Sequence, residues 1–200
     1  HLMVSVGNAA LLKDKGLKVL FCTGEDFTND IVEGIRNKTT QAFRDKYRRL
    51  NLLLIDDIQF IAGKDSVQEE FFHTFNAVTA AGGQVILTSD RPPSEISKLE
   101  ARLRSRFEAG LIVDVAPPDF ELKCAIVQIK SQERDIKLEM DQIQMIAANA
   151  EGARNIEGVL IKIMNEVHSK KLPITTELVK NTRGRGVETN GKISRSTPEQ

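Results

Sequence analysis

No tryptophan occurs in these 200 residues, and a single tyrosine accompanies nine phenylalanines. Proteins that hold single strands by base stacking depend on exposed aromatic rings, so this scarcity argues against that mode of binding. Only two cysteines are present, Cys22 and Cys124, far apart in the chain. They exclude a disulfide framework, and with three histidines they form no zinc-ligand spacing. The plain reading is two reduced core thiols in a cytosolic protein. No apolar run approaches the roughly 18 residues of a membrane helix, and no secretory pattern opens the chain. Charge of one sign is not in excess either: 28 Lys and Arg offset 28 Asp and Glu, which neither demands nor excludes nucleic acid. What remains, at 40% hydrophobic residues, supports one substantial domain, or one with a small lid.

The most informative stretch is Asn51-Leu52-Leu53-Leu54-Ile55-Asp56-Asp57-Ile58-Gln59-Phe60. Its apolar residues do not alternate with polar ones, as suits a strand covered on both faces in a parallel sheet. Such a strand delivers Asp56 and Asp57 at its C-terminal end, where open α/β folds place their chemistry. One carboxylate can hold Mg²⁺ directly or through water, and its neighbour can orient a water toward a phosphoryl group. The competing reading is a strand closed by a polar turn.

Periodicity elsewhere predicts alternating helices and strands. A helix over His1–Leu12 precedes a strand over Lys18–Thr23, and Phe27, Ile31, Val32 and Ile35 share one helical face. Thr39 or Thr40 can cap a helix carrying Phe43, Tyr47 and Leu50 inward. Ser66 with Glu69 spells a capping box for a helix packed through Val67, Phe71, Phe72, Phe75 and Val78. Gln84–Thr88 reads as a second fully buried strand, Ile96–Leu103 as a helix and Leu111–Val115 as a third short strand. After Pro117-Pro118 only helical periodicity remains, through Leu122, Ile126 and Ile129, then Ile143, Ile146 and Ala150, then Ile156, Val159, Leu160 and Ile163. Thr176 can cap a last helix over Glu177–Lys180, and from Asn181 the composition is that of a disordered tail. The expected organisation is therefore an α/β core over 1–116, a helical subdomain over 117–180 and a tail over 181–200. No Gly-rich phosphate loop of the form Gly-x-x-x-x-Gly-Lys-Ser/Thr occurs in these residues.

Leu53-Leu54-Ile55-Asp56-Asp57-Ile58-Gln59-Phe60 and Gln68-Glu69-Glu70-Phe71-Phe72-His73-Thr74-Phe75-Asn76 closely resemble the AAA+ domain of the DnaA family, the bacterial chromosomal replication initiators. So do Leu87-Thr88-Ser89-Asp90-Arg91-Pro92 and Arg102-Leu103-Arg104-Ser105-Arg106-Phe107, and the resemblance runs from about Leu2 to Val179. It implies a P-loop NTPase fold, a three-layer αβα parallel sheet with a C-terminal helical lid. It also implies ATP or ADP with Mg²⁺ as cofactors. Asp56 and Asp57 match the Walker B pair, Asp56 for Mg²⁺ and Asp57 for water activation. Asp90 matches the sensor of the γ-phosphate, Arg106 the arginine finger directed at a neighbouring subunit, and Arg154 a second sensor carried on the lid. Read without the family, Arg102, Arg104 and Arg106 form a solvated helix face, Arg154 is an ordinary surface arginine, and Asp90 braces the Pro92-Pro93 turn. His73 and Asn76 read as structural.

The segment Phe27–Arg49 resembles the initiator-specific element, which implies filament assembly and contact with single-stranded origin DNA. Val32 matches an apolar contact to the strand and Lys64 a basic one, whereas Ser66 stands where many initiators carry arginine. Arg36, Lys38, Arg44, Lys46, Arg48 and Arg49 face only Asp45 within their span, which suggests a basic patch that would bind phosphates. The bland alternative is a basic amphipathic helix pair. The family further implies a cytoplasmic home, and possible dealings with a replicative helicase or regulatory proteins.

The family's phosphate loop falls immediately before the residues matching His1-Leu2. Its preceding strand lies between those matching Gln84–Thr88 and Leu111–Val115, which would otherwise stand about 9–10 Å apart, too far to pair. A chain without that strand is expected to be altered there and to bind ATP weakly. No helix-turn-helix follows Val179, so duplex recognition is not expected, and Arg183, Arg185, Lys192 and Arg195 read as linker. The rival function is a non-catalytic paralogue that docks on a replication partner and DNA without ATP turnover.

Overall fold

The structure, a computed structural model, describes residues 2–170 and 174–183. It separates into two compact units, His1–Val113 and a second beginning at Asp114.

The first unit is built around three parallel strands in the order β1 (Val19–Thr23), β2 (Leu52–Asp56), β3 (Gln84–Leu87). Val19 to Thr23 lie opposite Leu52 to Asp56, and Leu52 to Ile55 lie opposite Gln84 to Leu87. Five helices accompany them: α1 (Leu2–Lys13), α2 (Gly24–Arg36), α3 (Thr40–Tyr47), α4 (Asp65–Ala80) and α5 (Ala101–Glu108).

Because β2 sits between two strands and two helical layers, its alternate side chains enter different cores. Leu52 and Leu54 meet Met3, Val6 and Ala10 of α1 on one face. Leu53 and Ile55 join Phe27, Ile31, Phe43, Tyr47, Phe71 and Leu103 on the other. Burial on both faces is why the sequence shows no alternation. Gly7 lets α1 approach closely, since a Cβ there would meet Leu54 Cδ1 at 3.0 Å. On the opposite face Phe27 makes edge contacts with Phe43, Tyr47 and Phe71, with centroids 5.2, 5.0 and 5.5 Å away. Such geometry suits the ring quadrupoles and pins three helices together. Burial pushes the Cys22 thiol up to about 11, leaving an unreactive core thiol.

Several expectations are corrected. Leu111–Val115 forms no strand; Leu111 is 92% exposed, and Val113 and Val115 are exposed as well. Its hydrophobic composition matches a strand, but its backbone has no ladder partner among the described residues. For the same reason β3, paired only with β2 among the described residues, is exposed at Gln84 and half-buried from Val85 on rather than fully buried. Val32 and Ile35 are exposed, so the inward face of α2 is narrower than expected and rests on Phe27 and Ile31. The Ser66–Glu69 capping box does not form. The helix starts at Asp65, which puts Ser66 inside the first turn, where its oxygen is not at the N-cap. Thr39 occupies the N-cap of α3 without a side-chain bond. The helix expected over Ile96–Leu103 lies later, at Ala101–Glu108, after a 3-10 turn at Pro93–Glu95.

The second unit is helical: α6 (Phe120–Gln132), α7 (Met140–Asn149), α8 (Ala153–Lys170) and α9 (Thr176–Arg183). Ile143, Ile146, Ile156, Leu160 and Ile163 form its core with Val127 and Val179. Leu122 and Ile129 are exposed, because α6 turns Val127 and Ser131 inward instead. Thr175, not Thr176, receives the Leu178 N–H at 3.2 Å, and the helix continues through Asn181 to Arg183. The remainder of the expected tail, with Arg185, Lys192 and Arg195, lies outside the described residues. No described helix is long and apolar enough to cross a membrane.

Candidate functional site

Asp56 closes β2, and Asp57 follows in the left-handed region with φ 55°, a conformation aspartate tolerates better than most residues. This turn swings the chain into a 3-10 segment, Ile58–Ile61, and leaves both acids half-buried at the C-terminal end of the sheet. Three neighbours hold it. Gly24, the first residue of α2, lies so close that an added Cβ would sit 2.6 Å from the Asp57 carbonyl oxygen. The Thr88 hydroxyl accepts the Asp57 N–H at 3.0 Å and donates to Asp56 Oδ1. Gln59 Nε2 donates to Asp57 Oδ1 at 3.2 Å. Neither acid forms an ion pair among the described residues, so neutral donors position two negative charges without cancelling them.

Thr88, Gln59 and Gly24 were not foreseen as site residues. The signal for Thr88 is cross-strand register: Ile55 stands opposite Leu87, which puts Thr88 beside Asp56.

Asp90, just past the end of β3, is exposed, and its carboxylate takes two hydrogen bonds from Arg91, at 2.9 and 2.8 Å. That guanidinium holds the Asp90 carboxyl below its usual range. Arg106 lies on the exposed side of α5, its guanidinium carbon 5.6 Å from the Phe72 ring centre, where Arg102 also stacks at 4.5 Å. It forms no ion pair among the described residues. Arg154 is exposed in the first turn of α8, within the second unit.

The expected basic patch is largely consumed inside the fold. Arg44 and Arg48 both reach Glu70 of α4 at 2.8 Å, Lys46 reaches Asp30 of α2 at 2.5 Å, and Arg49 reaches Asp45 at 2.9 Å. Three of these four pairs use acids outside the span Arg36–Arg49, which is why local charge was misleading. On Glu70, burial raises the carboxyl pKa, but the two guanidiniums outweigh it and the net shift is downward. Asp30 also accepts from the Tyr47 hydroxyl at 2.7 Å, and burial raises the pKa of that phenol. Arg36 and Lys38 are exposed and form no ion pair among the described residues. Arg36 and Val32 line a groove of about 400 Å³ together with Asn29, Glu33 and Asn37. Lys64 is apart from this groove in sequence and donates to the Phe60 carbonyl at 2.8 Å.

The donor set of the acidic turn fits a hydrated Mg²⁺. Asp56 Oδ2 receives no hydrogen bond among the described residues, and no cluster of three or more metal-ligating side chains occurs there that would make an all-protein cage. Mg²⁺ ordinarily needs only one or two carboxylates, keeping water or phosphate oxygens elsewhere.

Comparison with known proteins gives one consistent answer. Residues 1–114 match the family described as the bacterial DnaA ATPase domain. The chromosomal replication initiator protein DnaA of Chloroflexus aggregans is 46% identical over 178 residues, covering 88% of this chain and 37% of that protein. Domain III of the Thermotoga maritima initiator superposes with a TM-score of 0.87 at 33% identity, covering 91% of this chain and 77% of that one. A replication initiator DnaA solved with AMPPCP and single-stranded DNA gives 0.74 at 34% identity, over 86% of this chain and 54% of that one. The chain thus spans well under half the length of the curated relative it matches.

Proposed function

Since this chain belongs to the bacterial DnaA ATPase-domain family, with the AAA+ α/β fold, we propose that it is the nucleotide-switched module of a chromosomal replication initiator acting in the cytoplasm. The observation that carries this reading is the acidic turn: two adjacent carboxylates at the mouth of a parallel sheet, fixed by neutral donors. Asp56 offers its free oxygen to a magnesium ion, directly or through water. When bound, that ion neutralises charge on the nucleotide phosphates. Asp57, held by Gln59 and by its own backbone turn, orients the water that attacks the γ-phosphate in line. Asp90 exchanges its Arg91 partner for contacts that report the γ-phosphate. Arg106, exposed and without an ion pair among the described residues, reaches the nucleotide of an adjacent subunit, where five fixed donors stabilise phosphoryl charge. Arg154 supplies the second sensor from the helical unit. Hydrolysis is slow, as suits a switch, and ATP favours a filament of like subunits, which a helicase or regulators would then read.

Single-stranded origin DNA lies along the groove of Val32 and Arg36, with Lys38 and Lys64 adding phosphate contacts. The scarcity of aromatic residues suits binding through the backbone rather than base stacking.

The test is Asp56→Asn in the protein at its natural length, assayed for Mg²⁺-dependent ATP hydrolysis and ATP-dependent retention of a labelled single strand. Hydrolysis should fall about a hundredfold. Thermal stability should hold, because no cation loses its partner. A wild-type protein that neither hydrolyses ATP nor changes its DNA binding with nucleotide would refute the reading.

A further inference from the structure

Thr88 touches four successive residues of the acidic turn. Its N–H donates to the Ile55 carbonyl at 3.0 Å, and its carbonyl accepts the Ile58 N–H at 2.9 Å. Between these backbone bonds its hydroxyl accepts the Asp57 N–H and donates to Asp56 Oδ1. A hydroxyl has a single proton. With the Asp57 amide occupying one lone pair, that proton is directed at Asp56, so the two bonds fix each other's direction.

We infer that Thr88 is a positioning residue for the acidic pair: its hydroxyl selects which Asp56 oxygen remains free for a ligand and locks the backbone of Asp57. The inference rests on the nucleotide reading above. It assigns to Thr88 a role that none of the residues matched by motif carries. Three features support it. The donor is neutral, so it holds the carboxylate without supplying the charge that a metal would supply. The side chain is β-branched, which restricts χ1 and keeps the hydroxyl on station. Lastly, Thr88 lies two residues before Asp90 on the same strand end. A displacement of the Asp90 loop therefore pulls on the bond to Asp56, which links a residue that would face the γ-phosphate to the one that would face the metal.

The substitution Thr88→Val keeps the shape and both backbone bonds while removing both hydroxyl bonds. Thr88→Ser keeps the hydroxyl. Two readouts are measured on each: amide hydrogen exchange at Asp57 without nucleotide or metal, and the Mg²⁺ concentration for half-maximal ATP hydrolysis by the protein at natural length. Thr88→Val should speed Asp57 exchange about tenfold and raise the Mg²⁺ requirement by about the same factor, as loss of a hydrogen bond to a charged group implies. Nucleotide affinity measured in EDTA should stay within about twofold, because the hydroxyl touches no phosphate-binding group. Thr88→Ser, which keeps the hydroxyl but not the methyl that restricts χ1, should restore most of both readouts. Faster Asp57 exchange with an unchanged Mg²⁺ requirement overturns the inference, as does failure of serine to rescue. If Thr88→Val and the smaller Thr88→Ala both fail to fold, the hydroxyl is structural and the inference is likewise overturned. An Asp56→Asn control that hydrolyses ATP with the wild-type Mg²⁺ response removes the nucleotide reading itself. The exchange result would still show whether the hydroxyl bond exists, so the two failures are distinct.

Discussion

Glu70 and Asp30 meet cations, whereas Asp56 and Asp57 meet a hydroxyl and an amide. The four acids lie in one unit and are all at least partly sheltered, so burial does not separate them. The partners do. A half-buried carboxylate that meets a cation of another helix is electrically finished, and its task is to fasten α4 or α2 to α3. A carboxylate held only by neutral donors keeps its charge for something that arrives later. The contrast divides these four acids into two that build the unit and two that it presents.

The division is broken most severely at the presenting end by Gly24→Ala. The new methyl would lie 2.6 Å from the Asp57 carbonyl oxygen, a backbone atom with no rotamer to yield. Either α2 or the acidic turn must move. We expect a loss of about 2–3 kcal/mol, the upper range for overpacking, read from the denaturant midpoint. Close approach is the reason glycine is needed here, since Gly24 is not among the residues with positive φ. A cost below about 0.5 kcal/mol, the range of an ordinary surface change, would show that the turn is not pinned from below.

The building end is sharpened by Glu70→Gln. Its carboxyl is held below the ordinary glutamate value of 4.5, because Arg44 and Arg48 outweigh the effect of burial. A folded pKa below the unfolded one means the unfolded chain binds the proton more readily. The stabilisation is therefore present above about pH 4.5 and lost as pH falls through the lower folded value. At pH 7 the variant should be less stable by about 1 kcal/mol, the exposed Arg44 side being screened by solvent. The gap between wild type and variant should close as pH drops below 4.5, as thermal melts at pH 7, 5, 4 and 3 would show. Equal gaps at every pH would mean that Glu70 acts through shape rather than charge.

The same contrast explains what could be read before folding. Leu52–Ile55 was legible as a buried strand because both faces and both edges are covered, which the unbroken apolar run records. Leu111–Val115 is also mostly apolar and failed, since a strand is made by its neighbour and none is offered among the described residues. Asp56 and Asp57 were legible as a pair by adjacency alone. Thr88 was not, because its bond to Asp56 spans 32 positions and depends on parallel register. The Ser66 capping box failed because the helix starts two residues early, at Asp65 with Lys64 as its N-cap. The α3 part of the basic patch was overread for the reason Thr88 was missed: three of its four cations pair with acids of α2 and α4, outside the span itself.

That last failure carries the smallest expected effect. If pairing decides role, a paired and an unpaired cation should differ in their contribution to DNA binding. Arg36 and Arg44 are the pair to compare: the first lines the α2 groove with no ion pair among the described residues, the second is engaged by Glu70. Removing Arg36 by Arg36→Ala should weaken single-strand binding several-fold and lower the slope of log affinity against log salt by about 0.7, the change expected when one phosphate of a single strand is no longer neutralised. Removing Arg44 should leave that slope unchanged and act on stability instead, since its charge is already spent on Glu70. Fluorescence anisotropy with a labelled oligonucleotide between low and moderate salt measures both. Salt matters to the design, because a variant that merely loosened the fold would lower affinity without changing how many counterions are released. A matching fall in slope for the two variants would mean that the ion pairs of α3 open on contact with DNA, and the distinction between building and presented charge would not extend to this surface.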